Sequence, residues 1–316
     1  MLTTPAGAAE QLPSAYEANI LFHPTSTNGA VDAIEVVIEL TGGPTDGAAF
    51  SAPVVYPGAP GVAERIKNLV VTDAKGEVAL AVSEDPAQPG GFPYLRHWKA
   101  QRSVTYPVKI GYRALIQPAG GPKGPAFAIR AVGGGVAGSG AGFLLLPDDE
   151  GIARTNIRWD LSALPTGSFA STSFGDGDFT QNGSPLQLLN SWLVAGPAGR
   201  YPQQGSVNGF ASAWLGKPTY DVNAAARFSA DGYHYLASYF PHLRPSPQYR
   251  VYFQFRDAEP YGGGTALTQS FMLSQGPVKP GETPEAPRTT IFHEMIHQWV
   301  GMIDAPMGVS SWFSEG

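Results

Sequence analysis

Two histidines separated by one helical turn stand near the end of this 316-residue sequence, in the stretch RTTIFHEMIHQWVGM. His293 and His297 are four residues apart, and Glu294 directly follows the first of them. In a helix this spacing corresponds to about 400° of rotation and about 6 Å of rise. Both imidazoles therefore project from one face and can bind one metal ion at about 2.0–2.1 Å. Glu294 points about 100° away, which suits a base beside the metal better than a ligand.

Zinc at this position needs a third protein ligand, because two histidines hold it incompletely. The sequence has no cysteine, so that ligand must be a carboxylate or another histidine. Glu315 follows His297 after 17 intervening residues, enough for the chain to turn back to the ion. Two histidines and one glutamate leave a fourth position for water, as in catalytic zinc sites. A surface helix that carries two unrelated histidines is the alternative.

Other motifs predict no further site. The glycines from Gly133 to Gly138 match G-x-G-x-x-G, but more glycines and the strand-like FLLLP follow them. A dinucleotide site requires a helix there, so the segment is predicted to be a hairpin or loop. The remaining histidines show no partner spacing, and we expect surface or hydrogen-bonded core positions for His23, His97, His234 and His242.

Composition excludes several classes of function. The net charge is −6 with no run of Lys or Arg, which argues against nucleic acid and anionic membranes as partners. No apolar run approaches the roughly 20 residues of a transmembrane helix. The absence of cysteine excludes disulfides and thiolate chemistry. The first residues, MLTTPAGAAEQLPS, have no signal-peptide pattern, so the sequence does not fix the cellular compartment. One expectation is an exported protein whose signal peptide is absent from this sequence. Oligomeric state is also left open.

The first half of the sequence alternates with a period of two, as half-buried strands do. Four stretches carry the pattern: AIEVVIEL, EVALAVSE, PVKIGYRAL and AFAIRAV. Glycine and proline clusters separate them, which predicts an antiparallel β-sandwich. The expected buried faces are Ile34, Val36, Ile38, Leu40; Val78, Leu80, Val82; Val108, Ile110, Tyr112; and Phe127, Ile129, Ala131.

The later part becomes helical from about residue 221. DVNAAARFSADGYHYLASYF predicts a helix with an apolar stripe, formed by Ala224, Phe228, Tyr235 and Tyr239. The stretches YRVYFQF and TALTQSFML each predict one strand. The histidine helix should begin near Pro287, with Thr289 or Thr290 as a cap, and end at Gly301. Its core face should be Phe292, Ile296 and Val300. We expect a β-rich domain over residues 1–183 and a second domain over 184–316.

The histidine stretch resembles a known group of enzymes. HEMIHQWVG resembles the H-E-x-x-H-Q-W-x-G signature of the aminopeptidase N family, and WFSEG resembles the W-x-x-E-G that follows it. These are gluzincin metallopeptidases. The glycyl aminopeptidases are similar over more of the chain, because RWDLSALPTGSFASTSF resembles their W-D-L-P-x-G-W segment and YGGGTALTQS their glycine-rich edge strand. Usable motifs cover about residues 150–316, and the likeness before them is architectural.

The resemblance implies a fold and a function. The fold is mixed β and α/β: an N-terminal antiparallel β-sandwich followed by an incomplete thermolysin-like α+β catalytic domain. The function is that of a zinc metallopeptidase, aminopeptidase-like, with a zinc-bound water and Glu294 as general base. The implied zinc ligands are His293, His297 and Glu315. A peptide substrate is implied to pair along an edge strand, at Gly263, Gly264, Thr265, Ala266 and Leu267.

Three departures from the family pattern leave an alternative open. The interval before Glu315 is 17 residues instead of 18. The edge strand reads Thr265, Ala266 and Leu267 where the families carry a glutamate for the substrate's amino terminus. The sequence stops at Gly316, before the region that supplies an oxyanion donor, so we expect an inactive or slow fragment. Exopeptidase and endopeptidase activity both remain open. The alternative is a non-catalytic β-sandwich binding or scaffold protein that keeps a zinc site.

Overall fold

The structure is a computed structural model that describes residues 15–56, 59–89, 92–118, 127–149, 151–240, 248–259 and 261–300. In these ranges the chain forms strands β1 to β22 and helices α1 and α2. The strands are β1 Tyr16–Thr27, β2 Ala30–Leu40, β3 Ala49–Tyr56, β4 Ala59–Pro60, β5 Ile66–Asp73, β6 Gly76–Glu77, β7 Leu80–Glu84, β8 Tyr94–Ala100, β9 Val108–Leu115, β10 Arg130–Val132, β11 Gly135–Ser139, β12 Leu146–Pro147, β13 Ile152–Trp159, β14 Phe169–Thr172, β15 Gly175–Asp176, β16 Phe179–Asn182, β17 Trp192–Gly196, β18 Gly199–Tyr201, β19 Phe210–Leu215, β20 Tyr249–Phe255, β21 Gly264–Leu267 and β22 Ser270–Gln275. The helices are α1 Val222–Tyr239 and α2 Arg288–Ile296.

The first sheet has seven strands in the order β16-β13-β1-β2-β9-β5-β6. Its pairings are antiparallel except that of β1 with β13, which is parallel. The alternation predicted for β2 is confirmed, because Ile34, Val36, Ile38 and Leu40 are buried. The intervening glutamates of β2 are exposed. One face of this sheet therefore supplies the main hydrophobic core, to which the predicted face of β9 also belongs.

The second sheet, β12-β3-β8-β7 with β4 beside β3, closes this core from the other side. One predicted buried position in it is wrong. Val82 is 59 % exposed, since β7 is the edge strand and lies at the margin of the core. Val78 is buried as predicted and Leu80 is half-buried.

The third sheet, β10-β11-β17-β14-β15, is buried on both faces. In β17, Leu193 and Ala195 join the main core, while Trp192 and Val194 point to the fourth sheet. Burial on both faces removes the simple alternation predicted for AFAIRAV. Ile129 is buried as predicted, but Ala131 is exposed and its neighbours in β10 are buried. The glycine segment forms the β10–β11 hairpin, and a hairpin or loop was predicted there.

The fourth sheet has the order β18-β19-β20-β22-β21. β20 pairs in parallel with both neighbours, and the edge strands β18 and β21 are antiparallel. The single strand predicted for TALTQSFML is wrong, because the chain turns at Thr268 and Gln269. Gln269 has a φ of +55°, which ends β21 and starts β22.

Helices α1 and α2 cover the outer face of the fourth sheet. The helix predicted at α1 is confirmed, but its predicted stripe is wrong. Tyr235 and Tyr239 are 60 % and 66 % exposed. Residues such as Val222, Tyr233 and Leu236 face the sheet instead. In the described part of the chain, neither helix is both long enough and apolar enough to cross a membrane.

The architecture is a β-sandwich joined through a shared sheet to a mixed α/β unit, the fold class that the sequence predicts. The division at residue 183 stays a prediction. β16 ends at Asn182, and β17 pairs with β14 in the third sheet. The fourth sheet and α2 position the candidate site.

Candidate metal centre

Helix α2 is held by a buried stripe one residue away from the predicted one. Ile291 and Met295 are fully buried, and Trp299, in the turn after the helix, is 8 % exposed. They pack with α1 and the fourth sheet. The predicted face is wrong at Val300, which is 52 % exposed. Neighbouring helical residues differ by about 100°, so Val300, five residues after Met295, lies about 140° away from the centre of the core face.

The start of α2 also differs from the sequence prediction. Pro287 is the N-cap residue, and no side chain makes a capping hydrogen bond. The predicted threonine cap is therefore wrong. Proline is compatible with the beginning of a helix because it has no N–H to satisfy. The packing of Ile291 and Met295 holds this end of the chain in place.

His293 and His297 lie side by side at the end of α2. Their ring centroids are 5.0 Å apart and the ring planes are nearly perpendicular, at 89°. The helix ends at Ile296, and His297 keeps helical backbone angles as its C-cap residue. The one-turn spacing is thus retained although the helix stops before the predicted Gly301. His293 is exposed and His297 is half-buried, so both rings remain within reach of a ligand from solvent.

Glu294 lies on the buried side of α2, beneath the edge strand β21. Glu294 is only 7 % exposed. A Cβ atom built on Gly264 would lie 2.6 Å from its Cγ and 2.9 Å from its Oε1. Such distances are shorter than van der Waals contact, so only glycine fits here without displacement. The carboxylate is therefore held between α2 and the first residue of the edge strand.

Tyr249, the first residue of β20, contributes a buried phenol close to this carboxylate. Its ring stacks on Tyr233 of α1, with centroids 4.5 Å apart. Burial raises the pKa of the Tyr249 phenol well above its ordinary value, and Tyr233 and Glu294 raise it further. Its hydroxyl has no hydrogen-bond partner among the described residues. The phenol is thus protonated at any physiological pH.

The edge strand is held by two side chains that the sequence analysis did not single out. The Gln298 Nε2 donates to the carbonyl of Leu267 at 3.2 Å, and its Oε1 accepts from the Gln269 N–H at 3.1 Å. On the other side, the Trp192 Nε1 donates to the carbonyl of Thr265 at 3.0 Å. The sequence feature that could have pointed to Gln298 is its position directly after His297, a candidate metal ligand.

The predicted site residues are only partly within the described chain. Glu315 lies outside the described residues, so its predicted place at the metal is untested. Gly263 precedes β21, and its carbonyl accepts a hydrogen bond from the Ser274 N–H at 3.1 Å. Among the described residues, no group of three His, Asp or Glu side chains has the arrangement of a metal site. His293 and His297 supply two nitrogen donors, a set that fits zinc once a third ligand completes it.

The other histidines have partners outside this site. His23 lies 3.1 Å from the Asp160 carboxylate. His97 lies between Asp85 and Asp148, at 3.0 and 3.5 Å. These two are hydrogen-bonded as predicted. His242 lies outside the described residues.

Comparison with solved structures finds proteins of similar fold. An aminopeptidase N family protein from Idiomarina loihiensis is similar with a TM-score of 0.67 and 13 % identity, over 95 % of this chain and 52 % of that chain. An M1 zinc metallopeptidase from Deinococcus radiodurans has a TM-score of 0.45 and 14 % identity, covering 92 % and 64 %. Leukotriene A4 hydrolase from Saccharomyces cerevisiae has a TM-score of 0.49 and 11 % identity, covering 94 % and 47 %.

The first of these likenesses is close enough to define the fold, and the fold alone. The chain spans about half the length of the Idiomarina protein. By sequence, no family model matches the chain, and a comparison with curated proteins found no match. Function must therefore be argued from the site itself.

Proposed function

We propose that this chain belongs to a zinc-dependent metallopeptidase, aminopeptidase-like, that hydrolyses peptide bonds. One observation carries the proposal: two imidazoles lie 5.0 Å apart on one side of α2, beside a glutamate buried against an edge strand. A carboxylate that could act as a base, two nitrogen donors that could bind a metal and an edge strand lie together in this arrangement. The fold likeness to an aminopeptidase N family protein supports the same conclusion.

The metal would be held by His293 and His297, with Glu315 as the third ligand. Two imidazoles and one carboxylate are a donor set of catalytic zinc sites. Zinc bound in this way supplies Lewis-acid polarisation of the substrate's carbonyl. The chain's own contribution is the spacing of the two rings, which α2 fixes through its buried residues.

Glu294 would act as the general base. Its carboxylate takes the proton from the attacking water and delivers it to the nitrogen of the leaving amine. Contact with Gly264 and the nearby Tyr249 restrict the side chain's movement, so the carboxylate is oriented before substrate binds. Orientation of this kind lowers the entropy lost on reaching the transition state.

The peptide substrate would pair with the backbone along the edge strand, from Gly263 to Leu267. An edge strand presents unpaired N–H and C=O groups to which an extended peptide can add. β21 is the edge strand of the fourth sheet, and it passes beside Glu294. Trp192 and Gln298 hold this strand in place from its two sides.

A second candidate function is a non-catalytic binding or scaffold role that retains the metal. The observation that favours it is the composition of β21. Thr265, Ala266 and Leu267 carry no carboxylate that could bind the amino terminus of a substrate. In both cases residues 1–183 would form the supporting β-rich domain, and residues 184–316 would carry the metal.

The replacement Glu294→Gln separates the two functions, measured in the full-length gene product with zinc supplied. We expect the variant to keep wild-type zinc content and to lose about 10²–10⁴-fold in the hydrolysis of short peptides. Glu285→Gln, at an exposed residue of the preceding loop, is the matched control and should leave both unchanged. Peptides with free and with acetylated amino termini distinguish exopeptidase from endopeptidase activity. Equal hydrolysis by wild type and Glu294→Gln would contradict the catalytic proposal. Zinc binding without any hydrolysis by the wild type would favour the binding role.

A further inference from the structure

Three arginines lie near one another away from the candidate metal centre, at the ends of β5, β10 and β20. Arg65 directly precedes β5, Arg130 is the first residue of β10, and Arg256 directly follows β20. These strands belong to the first, third and fourth sheets. The cluster therefore lies where the β-sandwich joins the helix-covered sheet.

Strand β9 and its continuation bring the first two arginines together. Ile66 pairs with Ala114 of β9. Three residues after Ala114, the Gln117 N–H donates to the carbonyl of Ile129 at 3.0 Å. Arg65 directly precedes Ile66, and Arg130 directly follows Ile129. Their backbones thus lie beside the same short segment.

Close glycine contacts bring the third arginine to the same place. A Cβ atom on Gly133 would lie 2.4 Å from the nitrogen of Gly216. A Cβ atom on Gly216 would lie 2.0 Å from the carbonyl oxygen of Phe255. The turn after β10 therefore contacts the end of β20, where Arg256 follows.

The charges of the three side chains interact. Burial, followed by the positive charges of Arg256 and Arg65, lowers the pKa of Arg130 to about 10. Arg130 is only 3 % exposed. Like charges held together in a partly buried place repel one another, so an anion beside Arg65 and Arg256 would reduce the repulsion.

Several donors of this cluster have no acceptor among the described residues. These buried atoms are Nε and Nη2 of Arg65 and Nη1 of Arg256. Each side chain is anchored through another atom. The Arg65 Nη1 donates to the carbonyl of Pro60 at 2.6 Å, and the Arg256 Nε donates to that of Ala258 at 3.3 Å. The anchored guanidinium groups thus keep buried donors for a further acceptor.

No carboxylate in the described chain lies within salt-bridge distance of Arg65 or Arg256, whereas other arginines have such partners. Glu64, the neighbour of Arg65, accepts from Arg96 at 3.1 Å and is largely exposed. It influences Arg65 only as a longer-range charge. An acceptor from outside the described residues would satisfy these buried donors of Arg65 and Arg256.

We propose that the buried donors of Arg65 and Arg256, next to the charge of Arg130, form a binding site for a phosphate-class oxyanion. Guanidinium groups present planar pairs of donors that match the oxygens of phosphate. A dianion offsets most of the positive charge here, and one oxyanion can accept from the unpaired donors of Arg65, beside the first sheet, and of Arg256, beside the fourth. The ligand is inorganic phosphate or the phosphate group of an organic ester. Its binding would stabilise the junction between the β-sandwich and the fourth sheet.

Calorimetric titration of the full chain in chloride buffer tests the site, with inorganic phosphate and glycerol 3-phosphate as separate ligands. We expect saturable binding at one site. Arg65→Met and Arg256→Met should each weaken it at least tenfold. The control Arg158→Met, at an exposed residue, should leave it unchanged. At a ligand concentration about 100 times the dissociation constant, the melting temperature of the wild type should rise by about 5 °C.

The melting temperature without phosphate distinguishes a ligand site from a structural role. We expect Arg65→Met and Arg256→Met to melt at or above the wild-type temperature in phosphate-free buffer, because each removes like-charge repulsion. Arg256→Lys, which keeps the charge but not the planar pair of donors, should bind with intermediate affinity. Absence of saturable binding to the wild type, or unchanged binding by both methionine variants, would overturn the proposal. Tighter binding of glycerol 3-phosphate than of phosphate would assign the site to an ester, and the reverse to the free ion.

Discussion

Gly264 and Glu294 are in direct contact, so that the edge strand and the histidine helix pack through a residue without a side chain. The position of a Cβ atom on Gly264 is 2.6 Å from the Glu294 Cγ and 2.7 Å from the Leu273 Cδ2. The proposed general base and the proposed substrate strand therefore share one interface. A change in the position of either one moves the other.

Gly264→Ala should disturb this interface without straining the backbone, since Gly264 does not have a positive φ. The added methyl group overlaps two buried side chains, and overpacking of this kind costs about 1–3 kcal/mol. We expect the free energy of unfolding to fall by that amount in denaturant titration. Hydrolysis should fall as Glu294 is displaced.

Gly111→Ala is the matched control, because Gly111 also lies in a strand but has open space around its Cβ position. It should leave the stability within about 0.5 kcal/mol of the wild type. Equal effects of the two substitutions would show that a glycine in a strand, and not contact with Glu294, causes the loss.

Gln298→Ala should loosen the end of the edge strand. The side chain makes two hydrogen bonds to backbone groups of Leu267 and Gln269. Leaving such groups unpaired costs about 1–3 kcal/mol. Hydrogen exchange should quicken at residues 267–270 and stay unchanged in β20. Gln88→Ala, where the exposed amide bonds only to Pro86, should have no such effect. Unchanged exchange in Gln298→Ala would contradict this role.

Asp32 gives the sandwich a stability that depends on pH. Burial alone would raise the pKa of this carboxyl, but hydrogen bonds from Thr25 and Thr27, together with Arg113, lower it to about 2. The folded pKa lies below the ordinary value of 3.8. The contribution is therefore complete above about pH 5 and is lost as pH falls towards 2.

The difference in unfolding free energy between wild type and Asp32→Asn should follow that window. Since the side chain is 35 % exposed, we expect only about 1 kcal/mol near pH 7, about half of it lost by pH 3. Asp231→Asn, an exposed position on α1, is the control. A difference between wild type and Asp32→Asn that stays constant from pH 7 to 3 would contradict the assignment.

The sequence predicts best where a strand has one buried face. In β2, Ile34 and Ile38 are buried and Glu35 is exposed, because alternation with solvent on one side leaves a clear pattern. In β17 both faces are buried, so no alternation marks which core each residue joins. The predicted stripe of α1 is wrong for a different reason. Small residues such as Ala225 and Ala226 pack closely on the sheet, while Tyr235 and Tyr239 are exposed.

The candidate site was predictable only to the extent that it is local. The spacing of His293 and His297 follows from helix geometry, and the two rings do lie side by side. Tyr249 and Trp192 reach the site from distant parts of the chain through tertiary packing. No local pattern marks such contacts. Gly264 was placed on the edge strand, but its contact with Glu294 depends on how closely α2 approaches β21.

Anomalous X-ray scattering at the zinc absorption edge, from crystals of the full-length protein grown with zinc, tests the central claim most directly. The account predicts one peak at about 2.0–2.1 Å from a nitrogen of both His293 and His297, with Glu315 as the third ligand and Glu294 beside it. Two imidazoles turned away from each other, with no peak between them, would contradict it.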